Sequence, residues 1–488
     1  MVFDEVFGPF IEQSPVSVMF RGTLENIFTA RRLDGLFERT AQRQCCRDLA
    51  FSTCADLLGL VVTQIQPSLH AAYRERGRRI GVSVQALYQK VAGIEPAVCE
   101  ALVRETAADL AAIIDDLEAT LPGPLPGYDV RIVDGNHLQG THHRLKELRR
   151  LGDAALPGQT LAVLNPHREL IEEVVVCPDG HANQKPLFRH LLHQVQPRQC
   201  WIADRDFSTR EFLFGVKGRR GYFLVRHHGA LGFEPAGRQR RLGRTDTGVV
   251  YEQKVRLTDD DGGEMIVRRI TIKLDRPTRD KDTEIHLLTN LPQKVTGQTL
   301  AQAYLSRWKI ENAFHKLTMV LRCELNTLGY PQAALFGFCL AVAMYNAVNT
   351  VIAALRAAHP AAMEETETRT PKISFYYLAD EIAGVSRGMA IIIADEHWRR
   401  SQAKHPSRWR RCCFGWRVKS TLIGSSPILS ASRDAKHGGR SNMADTFRRI
   451  GYYNSEKTSP KHDSNSSFKR LVVNDPHPRP INCYPFWM

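Results

Sequence analysis

The sequence predicts an α/β protein in which a helical N-terminal domain precedes an α/β core with a β-rich insertion, and a basic tail expected to be disordered follows. Three observations predict this. Apolar residues recur at three- and four-residue spacing up to about residue 118. Short β-branched runs bounded by Pro, Gly or Asn then take over. From Arg399 onward periodicity is lost and Ser, Arg, Lys and Asn dominate.

The 488 residues are 43% hydrophobic and 24% charged. A chain of this length makes about three domains and a large buried core, which excludes a peptide hormone or a disulfide mini-protein. No run reaches the roughly 18 consecutive apolar residues of a membrane span, and the N-terminal stretch MVFDEVFGPFIEQ lacks the layout of a secretory signal. The 11 cysteines are odd in number, scattered and without a C-x-x-C pair, so reduced thiols in a cytoplasmic protein are expected rather than a disulfide frame or a zinc site. Net charge is +14, but residues 399–488 hold 18 Lys and Arg against 5 Asp and Glu. The basicity therefore sits in the tail, and any case for nucleic-acid binding by the body has to come from local chemistry.

In residues 1–120, LENIFTARRLDGLFERTA and AVCEALVRETAADLAAIIDDLEATL are amphipathic helices. Between them, YRERGRRIGVSVQALYQKVAG places four arginines ahead of Ser83, a residue suited to cap a helix over Val84–Val91. This stretch reads equally as a helix-turn-helix or as a capped bundle helix with solvated arginines. LPGPLPGY (121–128) is a helix-incompatible boundary. Beyond it, YDVRIVDGNHL, QTLAVLNP and ELIEEVVVCP are strands, HANQKPLFRHLLHQV is a helix, and QCWIADRDF contains a fourth strand. Three strands, a helix and a strand are the opening order of an RNase H-like fold, here assigned to residues 128–398. Further strand-like segments over about 221–292 form the expected β insertion before the chain turns helical at Thr299.

Asp134 ends the apolar run VRIV and Asp204 ends CWIA, so neighbouring strands would bring both carboxylates to one rim. Either alone reads as readily as a turn-former. The helix QTLAQAYLSRWKIENAFHKLTMVLRCEL adds a third carboxylate. At about 100° per residue, Tyr304, Arg307, Glu311, Thr318 and Arg322 share an arc of about 60° bordering the face of Ile310, Phe314, Leu317 and Leu321. The plainer alternative is an exposed Arg307–Glu311 pair at i,i+4 spacing.

Tyr304, two residues, Arg307, three residues and Glu311 resemble the Y-x2-R-x3-E signature of the insertion-sequence-four (IS-four) family of DDE transposases. In that family the signature follows two aspartates and a β-rich insertion. Here Asp134 and Asp204 lie 70 residues apart, Asp204 and Glu311 lie 107 apart, and the β-like segments fall between the latter two. The resemblance covers about residues 128–350, and ADRDF is similar to the family's second-aspartate motif, with Asp206 as the competing residue. Two features depart from the family. The lysine expected seven residues after the glutamate is Thr318, with Lys316 well round the helix and Arg322 one turn further along the stripe. The insertion also lacks a tryptophan, since Trp occurs at 201, 308, 398, 409, 416 and 487.

The resemblance implies a DNA transposase of an insertion sequence. Asp134, Asp204 and Glu311 would hold two Mg²⁺ ions, with Mn²⁺ as a substitute. Tyr304, Arg307 and Arg322 would contact phosphate, and Trp308 would stack on an unpaired base or pack internally. It further implies cut-and-paste chemistry on the element's terminal inverted repeats and target DNA, a homodimeric synaptic complex, and action at the bacterial nucleoid in the cytoplasm. An inactive relative acting as an end-binding repressor and a nuclease without strand transfer stay open as alternatives. THHRLKELRR (141–150) reads as a DNA contact or a solvated helix, and His142, His143, His227 and His228 lack ligand spacing and read as structural or surface residues. No Walker or G-x-G-x-x-G phosphate loop is present. The tail reads as a basic DNA-binding arm or as translated flanking sequence after a frameshift or lost stop codon.

Overall fold

The computed structural model describes residues 5–45, 48–76, 80–138, 158–179, 185–278, 280–325, 330–358, 372–401 and 429–430. The run 141–150, with His142 and His143, and nearly all of the tail lie outside the described residues.

Among the described residues seven α-helices come first: α1 (Gly8–Gln13), α2 (Pro15–Ile27), α3 (Ala30–Thr40), α4 (Phe51–Val62), α5 (Leu69–Arg76), α6 (Val84–Ala92) and α7 (Pro96–Asp116). Ser83 caps α6 as its sequence requires, its Oγ accepting from Ala86 N at 3.2 Å. Then come β1 (Asp129–His137), β2 (Gln159–Asn165), β3 (Leu170–Cys177), α8 (Lys185–Leu192), β4 (Gln199–Ala203), α9 (Arg210–Gly218) and β5 (Tyr222–Arg226). The excursion holds β6 (Glu234–Pro235), β7 (Arg240–Thr245), β8 (Gly248–Thr258), β9 (Glu264–Leu274) and β10 (Glu284–Thr289). It leads into α10 (Gly297–Tyr304), α11 (Trp308–Met319), α12 (Pro331–Ala358), β11 (Lys372–Ile373), α13 (Phe375–Ile392) and α14 (Asp395–Ser401). From the tail, Leu429–Ser430 pairs with β11.

One mixed sheet runs in the order β3-β2-β1-β4-β5-β10-β9-β8-β6, with β7 also on β8. β2 is antiparallel to both β1 and β3, whereas β1, β4 and β5 are parallel. This large mixed sheet flanked by helices is consistent with the expected RNase H-like core. Pairing places the excursion within the core sheet. β5 pairs in parallel with β4, so it belongs to the core sheet, and the excursion starts after it rather than at residue 221. β10 returns to pair with β5, which makes the excursion an extension of the core sheet. The chain break at 121–128 likewise does not divide the core, because one apolar cluster joins α2, α4 and α7 to a sheet face, α11 and α12.

α12 organises that cluster. By length and composition it passes as a membrane span, yet its most apolar window is entirely buried, wrapped by α7, α4, α2 and β3. It also satisfies the outer edge of β3. Asn346 accepts from Ile171 N at 2.9 Å and donates to Ile171 O at 2.8 Å, while Glu100 of α7 accepts from Val176 N at 3.0 Å. An edge strand whose backbone groups are taken by side chains is closed to further pairing. On the excursion, buried Arg268 pairs with Glu252 and donates to the carbonyls of Leu291, Pro292 and Val295, fixing the segment that leads into α10. Replacing Asn346 by Leu strands a buried N–H and a buried C=O together, so Asn346→Leu is expected to cost about 3 kcal/mol in urea unfolding. A change below about 0.5 kcal/mol, the range of neutral surface substitutions, would show that the edge is satisfied otherwise.

Candidate functional site

The strand register builds the site. Val133 of β1 lies opposite Ala203 of β4, and Ala203 lies opposite Val225 of β5. One residue further on, Asp134, Asp204 and Arg226 therefore stand level on three adjacent parallel strands, about 4.8 Å apart from strand to strand. Alternation sets their face. Val130, Ile132, Cys200, Ile202 and Leu224 belong to the core shared with α11 and α12, and Val133, Trp201, Ala203, Phe223 and Val225 to the core opposite. Asp134, Asp204 and Arg226 thus share the first face. Asp134 does not end its strand as expected, since β1 continues to His137 paired with β2. Asp204 does leave β4. Its carboxylate accepts from Asp206 N at 3.0 Å and caps a 3-10 turn over Arg205–Phe207, which is anchored where Phe207 stacks on Phe188 with centroids 4.5 Å apart.

The third carboxylate arrives on a broken helix. The sequence predicts one continuous helix from Gln298 to Leu325, whereas α10 ends at Tyr304, a 3-10 turn spans Leu305–Arg307, and α11 ends at Met319. Tighter winding advances each residue by about 120° instead of about 100°, which rotates Tyr304 relative to Glu311. Tyr304 accordingly buries its ring in the core, with Arg307, Asp204, Arg226 and Asp134 as its electrostatic neighbours. α11 packs on β1. Arg307 Nη1 donates to Asp134 Oδ2 at 3.1 Å and to Glu311 Oε1 at 2.6 Å. Arg307 is 13% exposed and Glu311 35%, so their i,i+4 pair is half-buried, and it is tied to the sheet through Asp134. The Arg307 guanidinium also lies 5.1 Å from the ring centre of half-buried Trp308, and its Nε is buried without a hydrogen-bond partner.

Arg322 is exposed and set apart from the helical stripe. Because α11 stops at Met319, Arg322 is off the stripe, and it binds the N-terminal helices instead, its N donating to Val62 O and its Nη1 to Pro67 O. Thr318 is exposed and returns its hydroxyl to Phe314 O at 3.0 Å. Lys316 points to α13, its ammonium 5.0 Å from the Phe375 ring centre, and so cannot replace the absent lysine.

Burial and mutual repulsion dominate the electrostatics. Asp134 is pushed up to about 7, first by burial and then by the Asp204 charge, against the pull of Arg307. Burial also raises Asp204 and Glu311, and it raises the competing Asp206 to about 6, helped by Asp204. Tyr304 is raised to about 12 by burial and stays a phenol. Burial would lower Arg307, but neighbouring Tyr304 and then Glu311, Asp134 and Asp204 outweigh it and hold it charged. Hard carboxylate oxygens that repel one another in a poorly solvated place suit a divalent cation of the magnesium type. Among the described residues, no group of three His, Cys, Asp or Glu is gathered closely enough to share one ion.

A polar cleft of about 300 Å³ adjoins this rim, lined by Arg205, Arg226, His227, His228, Asp282 and His286 among others. Arg226 is held by Asp282 at 2.6 Å. Sequence reading missed Arg226, although GYFLVR ends an apolar run on a polar residue as VRIVD and CWIAD do. His227 is bonded to Leu231 O at 2.8 Å and His228 accepts from Ala230 N at 3.1 Å, local contacts that fit the structural roles expected of them.

Residues 125–347 match the transposase DDE domain family. The match takes in Asp134, Asp204, Tyr304, Arg307 and Glu311 together with the whole β excursion, and it supports a transposase function acting on DNA. No curated protein matches the sequence.

Asp134 gives a pH signature. Its carboxyl titrates near 3.8 when unfolded and near 7 when folded. The folded protein thus binds the extra proton between these values, and its stability falls as pH rises through that window. In chelator, the native protein is expected to melt at a lower temperature at pH 8 than at pH 5.5, with the difference reduced in Asp134→Asn. An unchanged pH dependence in the variant would contradict the assignment.

Proposed function

We propose that this chain is the cut-and-paste DNA transposase of an insertion sequence, of the IS-four kind. The observation that carries the reading is the level placement of Asp134 and Asp204 on adjoining parallel strands, with Glu311 tied to Asp134 through Arg307, inside the span that matches a transposase DDE domain.

In this reading Asp134, Asp204 and Glu311 hold divalent cations, Mg²⁺ with Mn²⁺ as a substitute. Bound there, such ions supply activation of the attacking water or 3′-hydroxyl and neutralise charge at the leaving oxygen. The protein's own groups position the DNA. Arg307 offers the planar guanidinium suited to a phosphate oxygen, and its unpartnered Nε is a donor ready for one. Tyr304, protonated at neutral pH, is a hydroxyl donor at the same rim. Trp308, half-buried at the start of α11, supplies a ring for an unpaired base, and exposed Arg322, bonded to Pro67 O, is a further phosphate contact. The burial that raises these carboxylates also limits bulk water around the attacked phosphorus. Nicking at the element end, attack of the freed 3′-hydroxyl on the opposite strand, hairpin reopening and joining to target DNA follow from the resemblance. So do a homodimer pairing two ends and action at the nucleoid.

The test mixes the purified chain and its Asp134→Ala variant with duplex carrying the gene's own flanking ends in Mg²⁺ or Mn²⁺, and resolves the strands on a denaturing gel. Nicks and hairpins from the native protein, reduced at least about 100-fold in the variant, are expected. End binding without cleavage by either protein would instead identify a DNA-binding repressor, and cleavage without joined products a nuclease.

A further inference from the structure

We infer that Arg307 is a placeholder cation, which occupies the carboxylate site until a divalent metal displaces it and thereby turns it toward DNA phosphate. The inference rests on the metal-binding reading above, and three observations carry it. First, the Arg307 guanidinium bonds to carboxylates from two different elements, Asp134 on β1 and Glu311 on α11, so it sits between groups that a shared ion would have to touch. Second, Asp204 stands level with Asp134 on the neighbouring parallel strand, so a third carboxylate borders the same place. Third, Nη1 is the only hydrogen-bonding atom of Arg307 among its described contacts. Nε is buried and unpartnered, and the guanidinium's face lies against the Trp308 ring. A guanidinium satisfied along one edge and unsatisfied at Nε is in a holding position for a second, more complete set of acceptors.

The charges favour such an exchange. Asp134 and Glu311 keep one built-in cation between them. A divalent ion arriving among them makes Arg307 a like charge at close range in a poorly solvated site, which favours its departure. Trp308 offers a surface along which the guanidinium can turn while its stem stays buried. Arg307 would then be free to grip a phosphate only where the carboxylates hold a cation other than its guanidinium. Arg307 thus acts before chemistry as a competitor of the metal and afterwards as a ligand of the substrate.

The competition is measurable without DNA or turnover. Mn²⁺ is titrated into the full chain, and free ion is followed by electron paramagnetic resonance for the native protein, Arg307→Ala, Arg307→Gln and Asp134→Asn. Folding of each is checked by circular dichroism, with Arg307→Gln read if Arg307→Ala is unfolded. Both Arg307 variants are expected to bind Mn²⁺ on the order of tenfold more tightly than the native chain, and Asp134→Asn to lose this binding. Equal or weaker binding by the Arg307 variants, with Asp134→Asn still defective, overturns the placeholder and leaves the metal reading intact. If Asp134→Asn binds as the native protein does, or no variant binds at all, the metal reading fails and the placeholder fails with it.

Discussion

The contact on which the site depends is the bridge from Arg307 to Asp134 and Glu311. It joins the central strand of the core to the helix that closes the excursion, groups separated by 173 residues. Everything that positions the bridge is indirect. The parallel register of β1, β4 and β5 levels Asp134 with Asp204, and the Arg268 clamp on residues 291–295 fixes the approach to α10. The 3-10 turn then rotates Arg307 inward. A shift of one residue in register would turn Asp134 to the opposite core.

That bridge also explains how three acids coexist where water is scarce. Carboxylates gathered at low dielectric must protonate, pair with a cation or bind metal. The protein uses the first two together, raising Asp134 to about 7 and drawing in a guanidinium held charged by its neighbours. The rim is therefore poised rather than relaxed. Arg226, level with Asp204 and steadied by Asp282, adds positive charge on the side that opens into the polar cleft. This asymmetry, acids over the first strands and cations beside them, suits a polyanion approaching from the excursion side.

Much of this was legible in the sequence. The strand-helix order, the Ser83 cap and the excursion followed from apolar runs and their punctuation, and Asp134, Asp204 and Glu311 stood out as carboxylates at apolar boundaries or on a polar stripe. The misses have physical causes. Helical angles assume uniform winding, so the 3-10 turn at 305–307 and the end of α11 at Met319 were invisible, and Arg322 was projected onto a stripe it does not share. Strand partners are nonlocal, so the apolar run of β5 does not show that its register belongs to the core or that Arg226 stands level with Asp204. Nor does local composition show that α12, apolar over 28 residues, gains its partners from the N-terminal helices and β3.

The central claim is that Asp134, Asp204 and Glu311 form one divalent-metal site. Anomalous diffraction from crystals of the native chain grown in excess Mn²⁺ tests it most directly. The account predicts anomalous density among these three carboxylates, with the Arg307 guanidinium moved away from Asp134. Manganese bound only elsewhere, with Arg307 still bridging Asp134 and Glu311, would contradict it.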